Sequence, residues 1–365
     1  MLRAVSVSAP AKLVLTGEYA VLEPDHLAVV AAVDRFTEAH VAPAPIMRLT
    51  APALDLEDAP AVYSAGRWTL VTPHPQGGFV SEALSATLDY LEAGGVAVTP
   101  FHLSLSPALA EGGIKIGLGG SAAATVAAVA AVLAAFGAEP DPGIVYRLGA
   151  IAHLKAQGSG SGIDVAASAF GGVLAFSSHH PNWLAQRLRE EPSIRQVVEG
   201  SWPHLRIEPL SWPSGWELMV GWTGKSASTP AYLKLAARLK EAGDARYDAF
   251  LSAMQASSRL LMQGLKAADA PRSLDAIRQG REAMRALGTA LDASLETPML
   301  TKLAEAAERC RSAGKPSGAG GGDCGIALAV NAEQAECLRA AWNEAGVRPL
   351  AMAIAPQGVR LLTLN

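Results

Sequence analysis

Charge is scarce in this 365-residue chain: Asp, Glu, Lys and Arg make up 18% of it and leave a net charge of −4. A nucleic-acid surface needs a basic stripe, and no cluster of lysine and arginine supplies one. Cysteine is scarcer still. Cys310, Cys324 and Cys337 form no C-x-x-C pair, so their spacing predicts neither a zinc site nor a disulfide framework and fits a reducing, cytoplasmic setting. Long apolar runs are missing as well. The longest, Ala122 to Phe136, has 15 residues and is mostly alanine, short of the roughly 20 needed to cross a bilayer. The opening MLRAVSVSAPAK lacks the apolar stretch of a secretory signal. At 50% hydrophobic residues the chain is too apolar for disorder. These absences argue against nucleic-acid and membrane partners, and the length leads to the expectation of two domains; monomer and homodimer both stay open.

What the chain does have is glycine, and it is clustered. Windows 112–120, 158–172 and 314–325 together hold 16 of the 35 glycines in 36 residues. Around them, alternation predicts strands at 3–9, 12–15, 28–33, 101–106, 172–176, 216–222, 325–330, 349–354 and 358–363. Helical spacing predicts helices over 80–93, 121–136, 143–156, 230–241, 244–287 with a break near Pro271, 297–313 and 332–345. The mixture of strands and helices in each half predicts an α+β architecture. The stretch 177–215, rich in Pro, Trp, His and Arg, has no sustained period and is the candidate domain boundary.

The first glycine loop, IKIGLGGSAAAT (114–125), precedes an alanine-rich helix. Bare backbone at a helix N-terminus suits a phosphate; read alone, it is equally a tight turn with Ser121 as N-cap. A Rossmann fingerprint needs the helix to return to a parallel strand, but a second helix is expected there instead, and GWTGKS (221–226) has too few residues between its glycines for a P-loop. In the second loop, AQGSGSGIDVAAS (156–168), the lone Asp164 is either a substrate-facing carboxylate or a charge favoured by a helix N-terminus. The third, KPSGAGGGDCGIAL (315–328), concentrates glycine from 318 to 322, where a backbone cradle explains the loss of chain entropy better than a plain connection. Cys324 within it has no histidine nearby and reads as core. Lys12, in an apolar strand, needs an anion unless it is exposed.

In this order, APAKLVLTGEYAV, GLGGSAAAT and KPSGAGGGDCGIAL resemble the three motifs of the GHMP kinases. Within that family the segments EYAVLEPDHLAVVAAVDRF, AQGSGSGIDVAAS and MVGWTGKSAST look most like the branch whose acceptor is phosphomevalonate. The resemblance implies ATP and Mg²⁺ as cofactors. It also implies an N-terminal ATP-binding domain over 1–195 similar to domain 2 of ribosomal protein S5, and a ferredoxin-like domain over 196–365. Carried over, Lys12 and Asp164 match the catalytic positions. Lys115 and the run Gly117, Leu118, Gly119, Gly120, Ser121 and Ala122 match the ATP-phosphate cradle, with Ser121 at the metal. Lys12, Ser161, Asp164, Ser228, Thr229, Gly318, Ala319, Gly320 and Gly321 match substrate-facing positions. Two residues depart from the family pattern: Gly120 stands where a serine is usual, and His153 where mevalonate kinases carry a metal-binding glutamate. An alcohol acceptor such as mevalonate or homoserine, and an inactive nucleotide-binding regulator, are the alternatives.

Overall fold

A computed structural model describes residues 2–74, 77–106, 110–111, 114–115, 118–158, 160–224 and 229–363, with the backbone alone described at 110–111, 114–115 and 229–230. Two long strands begin the chain, β1 (Val5–Thr16) and β2 (Leu27–Pro43), followed by β3 (Met47–Ala51), β4 (Leu56–Ser64) and β5 (Arg67–Leu70). Next come α1 (Gly78–Ala93), β6 (Phe101–Ser106), the two-residue strands β7 (Ala110–Glu111) and β8 (Ile114–Lys115), α2 (Gly120–Ala135), α3 (Pro142–Gln157) and α4 (Ile163–Phe170). β9 (Val173–Ser177), α5 (Pro181–Glu190), α6 (Ile194–Glu199) and β10 (Arg206–Leu210) complete the first lobe. The second is built from β11 (Glu217–Trp222), α7 (Thr229–Glu241), α8 (Ala245–Ala267), α9 (Ala270–Ala290), α10 (Pro298–Arg309), β12 (Ala313–Pro316), β13 (Cys324–Ala329), α11 (Ala332–Ala345) and β14 (Arg348–Leu350). A last strand, β15 (Arg360–Leu362), returns to pair with β1.

The first lobe's sheet runs β10-β9-β2-β6-β3-β4-β5, with β1 pairing β2 and β15. It therefore draws β10 and β15 from beyond residue 195. The second lobe carries an antiparallel sheet in the order β12-β13-β11-β14. Helix α2 shows why alanine is so common here. Thirteen of its sixteen residues are buried, enclosed by the sheet and by α1, α3 and α4; a helix covered on nearly every side has no polar face, and alanine combines small volume with the highest helix propensity.

Between Pro10 and Ala11 the pairing of β1 with β2 slips, passing from Pro10 opposite Phe36 to Ala11 opposite Val33. This irregularity changes which face each side chain takes. Before it, Val7 and Ala9 enter the first lobe's core; after it, Val14 does, while Ala11, Leu13 and Leu15 turn to a second core. That second core joins the lobes, setting Leu13, Val29, Ala31 and Val173 against Val220, Leu261, Ile277 and Ile326. Trp212, Trp216 and Trp222 border it, whereas Trp202 packs inside the first lobe.

The cysteines correct an expectation. Cys310 and Cys337 form a disulfide, with Cα atoms 5.7 Å apart. They meet because α10 and α11 pack side by side around Leu303, Ala307, Leu338 and Trp342, a proximity that linear spacing does not show. The cysteine pattern thus says nothing about redox compartment. The closed loop spans the whole third glycine segment, and chain-entropy arithmetic for a 27-residue separation gives about 3–4 kcal/mol of stabilisation. Urea unfolding of Cys310→Ser against the oxidised parent should show a loss of that order, and adding reductant to the parent should reproduce it.

Candidate active site

β1 is the rail on which the glycine loops converge. Lys12 N–H donates to the Leu118 carbonyl at 3.1 Å, tying the strand to the first loop. Gly119 adopts φ +79° as the N-cap of α2. A Cβ there would come within 2.9 Å of Lys12 Cε, so the lysine stem lies across bare backbone at the positive end of a sixteen-residue helix. Leu118 and Ala122 are buried, Gly119 and Gly120 half-buried, and Ser121 is exposed in the helix's first turn. Lys12 itself is half-buried.

The second loop ends in α4, a helix capped by Gly162 at φ +75° with Asp164 in its first turn. The helix packs on β1, the strand that carries Lys12. Val165 N–H donates to Asp164 Oδ1 at 3.0 Å. Burial first, then the Asp164 charge, raise the Tyr146 phenol above its ordinary range. Ser161 is nearly buried at 8% exposure; its carbonyl accepts from Ser178 Oγ at 2.8 Å and its own Oγ from Ile163 N–H at 3.3 Å. The loop is thereby held to the end of β9.

The third loop grips β1 from the other side. Ser317 Oγ donates to the Val14 carbonyl at 2.9 Å, and Tyr19 Oη donates to the Ala319 carbonyl at 2.6 Å. Two of its glycines are accounted for by protein neighbours: a Cβ on Gly320 would strike the Leu295 carbonyl at 2.5 Å, and one on Gly321 the Tyr232 ring at 2.4 Å. Gly318, at φ +80° with open space around it, keeps a bare face not filled by protein. Tyr232 belongs to α7, so this contact carries the helix that begins at Thr229 against the loop. Cys324 is buried, as expected of core. Burial pushes its thiol up to about 12, with Asp323 adding to the rise and Lys12 opposing it, an electrostatic sign of how near Lys12 lies to the third loop.

Glu18 and Lys315 escaped the sequence reading although both stand inside quoted motifs. The Lys315 ammonium pairs with Glu18 Oε1 with side-chain exposures of 0% and 2%, and also donates to the Pro316 carbonyl at 2.7 Å. Neither residue's type announces the pair. Gly117 and Ser228 lie outside the described residues, as do the side chains of Lys115 and Thr229. His153 is buried at 4% exposure with its ring 4.8 Å from that of Phe79, and its Nε2 has no hydrogen-bond partner among the described residues. An imidazole nitrogen so placed is a poor ligand for Mg²⁺, which prefers oxygen.

Two lobes, an apolar seam between them and three glycine loops drawn to one strand define a small-molecule kinase fold. Residues 79–172 match the family model for the GHMP kinases N terminal domain and residues 239–348 that for GHMP kinases C terminal; the chain belongs to the GHMP kinase family. Its relatives include the phosphomevalonate kinase of Streptomyces sp. (strain CL190), 34% identical over 98% of this chain and 99% of that one. The mevalonate kinase of Pyrococcus furiosus is 26% identical over 98% of each. Among solved structures, the Lin0012 protein from Listeria innocua superposes with TM-score 0.92 at 31% identity, covering 99% and 100% of the two chains. Streptococcus pneumoniae phosphomevalonate kinase in complex with phosphomevalonate and AMPPNP gives 0.84 at 26% identity, covering 96% and 99%. The two-domain GHMP kinase fold, mixed sheets with helices, is the one the motifs imply.

Proposed function

We propose that this kinase transfers the γ-phosphoryl group of ATP to (R)-5-phosphomevalonate, giving 5-diphosphomevalonate and ADP on the mevalonate route to isoprenoids. The observation that carries the reading is the 34% identity to a phosphomevalonate kinase along essentially the whole of both chains. Mevalonate kinases match over similar lengths at 25–28% identity, so an alcohol acceptor is the competing reading. His153 weighs against it: the position that resembles the mevalonate kinases' metal-binding glutamate holds a buried imidazole here.

Both reactants of such a kinase are anions, and the chain's own contribution is positive charge and oriented N–H groups. In this reading the N-terminus of α2 and the backbone of Gly117 to Ala122 hold the ATP phosphates. Lys12, laid over Gly119, neutralises charge where the phosphates meet, and Lys115 adds a second cation. Ser161 and Asp164 position the acceptor, with Ser228 or Thr229 offering a hydroxyl from the opposite lobe, and Gly318 to Gly321 close the far side. Ser121 presents an exposed oxygen at the helix terminus that fits a hard cation, and it would hold Mg²⁺ together with phosphate oxygens. When bound, Mg²⁺ neutralises part of the phosphate charge. A phosphate ester's second pKa is near 6, so the acceptor is mostly dianionic at neutral pH and requires no strong base.

ADP release with ATP and each of phosphomevalonate, mevalonate and homoserine tests the assignment. Phosphomevalonate should exceed the alcohols in kcat/KM by at least about a hundredfold, because cationic groups built for a phosphate are left unpaired by an acceptor that lacks one. Equal or faster turnover of mevalonate would replace the reading with the alcohol kinase.

A further inference from the structure

Away from the glycine loops, three connections meet at a cluster that the kinase reaction does not use. Asp25 lies in the turn before β2, His180 immediately before α5, and His204 just ahead of β10. One ligand atom from each lies within 4.8 Å of the other two. His204 Nδ1 is 2.7 Å from Asp25 Oδ1, and the His180 and His204 rings meet edge to face with centroids 4.4 Å apart. Asp25 and His204 both adopt left-handed backbone, at φ +60° and +67°. The neighbouring His179 takes no part: it turns inward, its Nδ1 3.3 Å from Tyr146 Oη and its ring edge to face with that of Trp202.

We propose that Asp25, His180 and His204 form a binding site for a divalent transition-metal ion, Zn²⁺ in the first instance. Two imidazoles and one carboxylate are a borderline-soft set that suits Zn²⁺ or Co²⁺ and not Mg²⁺. Tetrahedral bonds of about 2.0–2.2 Å put ligand atoms roughly 3.3–3.6 Å apart, so shifts of about an ångström are needed, the His204–Asp25 pair opening from 2.7 Å and any wider pair, at up to 4.8 Å, closing. Asp25 and His204 are exposed and His180 is half-buried, which leaves the side chains room to do so and the fourth position open to water. The ion would cross-link segments that serve the site described above. Ser178, two residues before His180, holds the Ser161 carbonyl. Glu23, two residues before Asp25, accepts from Lys240 Nζ at 2.8 Å and Tyr247 Oη at 3.0 Å in the second lobe.

The test uses the untagged chain without nucleotide. Adding Co²⁺ should produce tetrahedral d–d absorbance at a stoichiometry of one, displaced by Zn²⁺ and not by Mg²⁺. Zn²⁺ titrated calorimetrically should show one saturable site. His180→Gln, His204→Gln and Asp25→Asn, which preserve side-chain size, should each weaken binding by roughly tenfold or more, while His40→Gln, on β2, should leave it unchanged. Thermal melts should rise with Zn²⁺ in the parent and not in the three variants. The proposal falls if no site tighter than about 100 µM appears, or if Zn²⁺ binding survives His180→Gln and Asp25→Asn. Neither result depends on the acceptor of the kinase reaction.

Discussion

Lys12→Ala should lower the single-turnover rate with phosphomevalonate by about two to three orders of magnitude, the effect typical of removing one preorganised electrostatic contact to a transition state. The size follows from where the ammonium stands. Its stem is pinned across Gly119 at the start of α2, its own N–H is tied to Leu118, and its charge is felt by Cys324 at the edge of the third loop. Lys12→Arg keeps the charge but sets a larger planar head against Gly119 in place of a compact ammonium, so it should rescue poorly. Asp164→Asn gives the discriminating comparison. If the acceptor were an alcohol, its proton would have to be removed, and losing a general base costs roughly 10² to 10⁴ in rate. A phosphate acceptor arrives deprotonated, so Asp164→Asn should cost less than Lys12→Ala. Single-turnover rates in the reverse order would refute the proposed division of labour.

The second large effect is on stability. Lys315→Met leaves Glu18 as a buried carboxylate without its cation and should destabilise the protein by about 3–5 kcal/mol. Glu18→Leu in combination should recover most of that loss, because two apolar side chains avoid the desolvation that the ion pair has to overcome. Urea unfolding of both single variants and the double variant forms a cycle that separates pairing from burial. What the pair supplies is geometry: it joins the turn after β1 to the strand that leads into the third glycine loop. Since Tyr19 sits beside Glu18 and donates to Ala319, Lys315→Met should also raise the KM for the acceptor. A double variant with full stability and an unchanged KM would show that the pair has no positioning role.

Much of this arrangement was legible in the residues. The helices over 78–93, 120–135, 142–157 and 332–345 lie within a few residues of the expected bounds, because each combines helical spacing with a stop signal such as Gly94 or Gly346. Other elements were hidden for identifiable reasons. α5, α6 and β10 fall in the stretch without a sustained period: the helices are short, and the five-residue β10 contains Pro209. α4 has eight residues and follows a glycine N-cap, with no side-chain cap to mark it. β1 read as two strands because Pro10 and the slip beside it interrupt one alternation and begin another.

By itself the sequence determined the family, the order of the three glycine loops and the presence of a lysine in an apolar strand. Those features are local, set by residue type and near neighbours. Tertiary structure decided which side of β1 Lys12 occupies, since the slip at Pro10 reverses the phase of the strand only through its pairing with β2. It also decided that Glu18 meets Lys315, that Cys310 meets Cys337, and that Gly320 and Gly321 are bare because Leu295 and Tyr232 fill their space. Each of these joins residues distant along the chain. No local preference encodes such meetings; they appear only when burial of the two cores brings the lobes together.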